Sequence, residues 1–107
     1  GVPVMEYVVK GKVTDAESGN PVKGIQVTSE GGLEEIQTTE SGDFECKGYA
    51  RPDDKVKLTF TDVDGVENGL YDTQELEVPV EKVEEGSGNW DVGVYVAEDV
   101  VVELKEK

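Results

Sequence analysis

The stretch Val8-Val9-Lys10-Gly11-Lys12-Val13-Thr14-Asp15-Ala16-Glu17-Ser18-Gly19-Asn20-Pro21-Val22-Lys23-Gly24-Ile25-Gln26-Val27 reads as strand, turn, strand. Tyr7, Val9, Gly11 and Val13 share one face at period two, and Val8, Lys10 and Lys12 share the other. Asp15 to Asn20 gathers Asp, Ser, Gly and Asn, whose side chains or small size favour a tight turn, and Pro21 closes it. Ile25 and Val27 then alternate with Gln26 and Thr28 in a second strand.

Working outward, Gly31-Gly32 forms a flexible tip, and Leu33 to Thr39 reads as a third strand with a bulge. Glu40-Ser41-Gly42-Asp43 is a tight turn, after which Phe44 and Cys46 point inward and Glu45 and Lys47 outward. Tyr49 to Asp54 reads as a loop. Val56, Leu58 and Phe60 make the clearest core strand, with Lys55, Lys57, Thr59 and Thr61 on its wet face. Residues 62–72 form a long acidic loop. Glu75 to Val80 is an edge strand, because Pro79 has no amide to donate. Residues 81–91 read as a polar, Gly-rich loop. Asp91 to Val96 and Asp99 to Lys105 are the closing strands, and residues 1–6 an N-terminal tether.

No segment carries a helical period. Seven or eight short antiparallel strands joined by turns imply an all-β sandwich, one domain over residues 1–107. Its core is expected to hold Val13, Ile25, Val27, Phe44, Val56, Leu58, Phe60, Val102 and Leu104.

Ten basic residues against 25 acidic ones leave a net charge of −15, and there is no histidine. Such a surface repels phosphate backbones and anionic headgroups, which argues against a nucleic-acid partner. It suits cations, neutral sugars or basic proteins, and it also serves solubility alone. The single cysteine, Cys46, cannot close an internal disulfide, and its strand phase marks it as a small buried hydrophobe. No apolar run is long enough to span a membrane, and no signal peptide is recognisable.

Catalytic chemistry finds little footing. A hydrolytic triad wants a base, commonly His, and zinc peptidase sites want His ligands. No phosphate-binding Gly-rich loop occurs. The chain is therefore expected to be non-enzymatic, with no cofactor beyond a candidate calcium ion.

Two constellations stand out as binding sites. Asp62, Asp64, Glu67, Asn68 and Asp72 offer the hard oxygen ligands that Ca²⁺ prefers. The same residues also suit an Asp-Gly turn leaving a core strand, held by side-chain-to-backbone hydrogen bonds. Tyr49, Tyr71 and Trp90 fall in expected loops, where aromatics form platforms for sugars or proteins, or else lid the ends of a small core.

The opening stretch resembles carboxypeptidase-regulatory-like domains, which are transthyretin-like (prealbumin-like) Greek-key sandwiches. A second motif of that family, Thr-x-x-x-Gly-x-Phe, is matched by Thr38, Gly42 and Phe44. The segment Phe60-Thr61-Asp62-Val63-Asp64-Gly65-Val66-Glu67-Asn68-Gly69-Leu70-Tyr71, with Gly1-Val2-Pro3, resembles radical-SAM-associated lipoproteins of Bacteroides-like bacteria.

This resemblance implies an exported protein of the cell envelope, in the periplasm or anchored at the outer membrane. Membrane attachment would run only through a lipid anchor. The implied role is a binding or assembly module whose partner is an envelope protein or a glycan. The alternatives are a calcium-stabilised or carbohydrate-contacting domain, or a substrate of a radical S-adenosylmethionine enzyme, for which Cys46 would be the residue to watch.

Overall fold

The computed structural model describes residues 2–107, and Gly1 of the expected tether lies outside the described residues. Eight strands run in order: β1 (Val4–Asp15), β2 (Ile25–Ser29), β3 (Ile36–Gln37), β4 (Asp43–Ala50), β5 (Lys55–Asp62), β6 (Gln74–Pro79), β7 (Glu81–Glu85) and β8 (Asp91–Leu104). No helix occurs among the described residues. Sheet A has the order β4-β1-β8-β7 and sheet B the order β3-β2-β5-β6.

All nine expected core residues are buried between the two sheets, joined by Met5, Tyr7, Val9, Val22, Cys46, Tyr71, Val78 and Val80. Phe44 and Phe60 meet edge to face, with centroids 5.5 Å apart and planes at 72°. Gly11 makes room for this contact. A Cβ there would lie 2.8 Å from the Phe44 ring and 2.4 Å from the Val100 carbonyl oxygen. Gly42 has φ 79° in the turn before β4, and a Cβ there would stand 2.5 Å from the Val13 oxygen. Gly11 and Gly42 are thus required by close approach of neighbouring atoms.

Sheet A departs from the expected antiparallel plan. β1 pairs antiparallel with β4 but parallel with β8. β8 pairs antiparallel with β7 on one edge and parallel with β1 on the other, so the sheet is mixed.

Other boundaries also shift. The expected tether is strand from Val4 onward, with Met5 wholly buried. Tyr49 and Ala50 belong to β4 and not to a loop. The polar segment at 81–91 contains β7, whose five residues are all exposed. An edge strand that buries no face carries no alternation to read. The third strand shrinks to two residues, because the Thr38 hydroxyl accepts from the Ile25 amide and donates to the Val22 carbonyl, tying the chain there. The two expected closing strands are one, β8, with a register irregularity near Asp99, whose φ is 59°.

Candidate functional site

The acidic loop is built by its own carboxylates. Asp62 ends β5, and its Oδ1 accepts from the Asp64 amide at 3.1 Å while Oδ2 accepts from the Tyr71 amide at 2.9 Å. Asn68 Nδ2 donates to Asp64 Oδ2 at 2.9 Å. Asp72 lends its amide to the Lys105 carbonyl, and the Lys107 amide reaches the Leu70 carbonyl, so the loop zips onto the chain's last residues. Burial pushes the Asp62 carboxyl up, but the Tyr71 and Asp64 hydrogen bonds outweigh it and hold it below the ordinary value. Among the described residues, no three acidic, His or Cys side chains converge as a metal-holding group. The geometry is that of a side-chain-braced turn.

The three aromatics do not form one platform. Tyr71 is buried, and its hydroxyl donates to Asp15 Oδ2 at 2.8 Å. Burial and that neighbouring carboxylate push it up to about 12. Tyr49 and Trp90 are 49% and 57% exposed and lie toward the opposite end of sheet A. Tyr49 pairs across to Glu6 and donates its hydroxyl to Glu6 Oε1 at 3.2 Å. The Trp90 carbonyl accepts from the Val4 amide at 2.8 Å.

Cys46 is 5% exposed, and burial pushes its thiol up to about 11. That suppresses the thiolate at neutral pH. A groove of about 690 Å³ runs past Lys10, Lys12, Asp43, Phe44, Glu45 and Val100. Along it Lys10 pairs with Glu45 at 3.9 Å and Lys12 with Asp43 at 3.7 Å, while Asp99 lines it outside these two pairs.

The residues that sequence reading passed over lie on the outer face of sheet A. Tyr7, Tyr95 and Ala97 face the core, so Glu6, Val8, Val94 and Val96 face out. Register places Tyr49, Glu6, Val94 and Glu84 in one row across the four strands. Lys47, Val8, Val96 and Glu81 make the next row. Val4 extends the apolar strip. These valines are half-buried among their cross-strand neighbours, and none packs against the core cluster. The outer face of sheet B, by contrast, presents Gln26, Thr28, Lys55, Lys57, Thr59, Thr61, Glu75 and Glu77. The available signal was the pair Val8-Val9, one residue in and one out, in a chain otherwise generous with charge.

No family model and no curated protein matches the chain. Among solved structures, it is similar to a protein from Bacteroides fragilis NCTC 9343 described as a "putative membrane-associated protein of unknown function". The TM-score is 0.56 at 20% identity, over 97% of this chain and 29% of that one. The likeness is one of fold, and the chain spans under a third of that neighbour's length.

Proposed function

We propose that this chain is a non-enzymatic binding or assembly module of a bacterial cell envelope, of the carboxypeptidase-regulatory-like, transthyretin-like kind. The observation that carries the reading is the outer face of sheet A, where Val4, Val8, Val94 and Val96 occupy solvent-side positions. An apolar strip with a polar rim is what a protein contact surface requires. The resemblance to envelope lipoproteins supports the location, as does a fold neighbour described as membrane-associated.

Photo-crosslinking in the native host tests this reading. A benzophenone side chain at Val96 is expected to capture a protein of the envelope fraction, while the same group at Thr59, on the outer face of sheet B, captures none. Equal capture at both positions, or none at Val96, overturns it. A second reading, contact with a glycan, draws on the exposed Tyr49 and Trp90. It requires glycan-array binding that is lost in Trp90→Ala.

A further inference from the structure

The outward rows of sheet A have a polarity that a simple apolar patch would lack. The second row runs Lys47, Val8, Val96, Glu81, with the cation at the β4 edge, the anion at the β7 edge and valines between. The first row runs Tyr49, Glu6, Val94, Glu84, with a phenol at the β4 edge, a carboxylate at the β7 edge, and between them Val94 beside Glu6, which accepts from the phenol. A two-fold axis lying in the contact plane and parallel to the strands exchanges the two edges while keeping each row at its own height. Laid on a second copy in that way, Lys47 meets Glu81 of the copy, Val8 meets Val96, and the Tyr49 hydroxyl meets Glu84. The second row is thereby its own complement, whereas in the first row Glu6, which accepts from the Tyr49 hydroxyl, meets Val94 of the copy.

We propose that this face binds a second copy of the chain, forming a two-fold dimer through the outer surface of sheet A. The proposal rests on the reading of the chain as an assembly module and names its partner. An isologous contact needs a surface complementary to itself, and the second row supplies one, with Lys47 and Glu81 at opposite edges of the apolar pair Val8 and Val96. Aligned sheets cross at about 30°, which displaces the rim by a few ångströms, within reach of lysine and glutamate side chains. Lys47 is free to turn toward such a partner: its ion pair with Glu45, at 3.4 Å, lies at the surface and the side chain is 60% exposed.

The contact is small. Four strands at about 4.8 Å spacing and the five residues from Val4 to Val8 cover roughly 20 by 18 Å. That area belongs with weak, exchanging interfaces and not with obligate dimers. The net charge of −15 on each copy works against association, so the dimer must form and dissociate with concentration.

Sedimentation velocity on the whole chain in 0.15 M NaCl tests the proposal, across micromolar to millimolar concentrations. The 11.6 kDa monomer is expected to give way reversibly to a species of twice that mass. Lys47→Glu and Glu81→Lys should each weaken the dimer about tenfold, and the double exchange should restore it to near the wild-type value.

General repulsion makes a different forecast. Glu81→Lys changes the net charge from −15 to −13 and would strengthen association, while Lys47→Glu changes it to −17 and would weaken it. Strengthening by Glu81→Lys therefore overturns the proposal, and so does a wild-type chain that stays monomeric throughout. A monomer whose Val96 still crosslinks to another envelope protein removes the second copy and leaves the assembly module standing. Both exchanged positions are exposed, and an unchanged thermal midpoint verifies that the variants fold.

Discussion

The Tyr71 hydroxyl donates to Asp15 Oδ2 at 2.8 Å, joining residues 56 apart in sequence. Asp15 uses its other oxygen to accept from the Glu17 and Ser18 amides at 2.8 and 2.9 Å, which fixes the turn after β1. Tyr71 in turn lends its amide to Asp62. One tyrosine, through its hydroxyl and its amide, therefore ties the first turn, the acidic loop and the end of β5 into a single corner.

Tyr71→Phe keeps the ring in the core and removes this link. Its thermal midpoint is expected to fall by about 5 °C, as the loss of one side-chain hydrogen bond does in a domain of this size. Asp15→Asn should combine with it less than additively, because the two substitutions break the same bond. Additive losses would show that the pair is uncoupled.

The corner also sets an acid sensitivity. The Ser18 amide, the Tyr71 hydroxyl and the Glu17 amide hold the Asp15 carboxyl below its ordinary value, and Asp62 and Asp91 are lowered too. A lowered carboxylate contributes stability that is whole above the ordinary pKa of about 3.9 and is lost as pH falls through the folded value. Protonation also relieves repulsion in a chain of charge −15, with the opposite sign. Comparing variants separates the two. Between about pH 5 and pH 2, the midpoint of Asp15→Asn should fall less steeply than that of the wild type. Parallel curves would exclude this contribution.

Phe60 is wholly buried and takes the Phe44 ring on its face or edge at 5.5 Å. Phe60→Ala opens a large cavity in a small core and should cost about 3–5 kcal/mol in urea unfolding. Phe60→Leu should cost markedly less, since most of the volume is kept. Similar losses for both would point to the aromatic contact and not to the cavity.

Cys46 should resist thiol reagents while the chain is folded and react at once in denaturant. Its burial and its thiol at about 11 both deny the thiolate to the reagent. Rapid labelling of the native chain would reopen a role for this residue as a modified or redox-active group.

The acidic loop separates a metal site from a braced turn. Both Asp62 oxygens already accept backbone amides, and Asn68 is turned onto Asp64. Millimolar CaCl₂ and EDTA at matched ionic strength are therefore expected to give the same thermal midpoint. Asp62→Asn should lower that midpoint equally in both. A calcium-dependent rise of several degrees that vanishes in Asp62→Asn/Asp64→Asn would instead establish a bound ion.

Much of this fold was legible because period-two burial writes itself into β1, β2, β4 and β5. In β5, Val56, Leu58 and Phe60 turn inward, and Lys55 and Lys57 turn out. Gly42 was legible as a turn residue, but the need for Gly11 was not, because the Phe44 ring and the Val100 backbone that crowd it come from distant strands. β7 was not legible, since a strand that buries neither face is held by its ladder to β8 and leaves no trace in hydropathy.

What the amino-acid sequence determined by itself is therefore local: which residues alternate, where the chain turns, how much charge it carries and which chemistries it lacks. The tertiary structure decided what depends on distant partners. Only strand order makes β8 run parallel to β1, withdraws Tyr71 into a corner with Asp15, and leaves Tyr49 facing outward. It likewise aligns Lys47, Val8, Val96 and Glu81, from four separate strands, into one row. Side chains from different strands become neighbours through register, and register is set by backbone pairing between segments far apart in the chain.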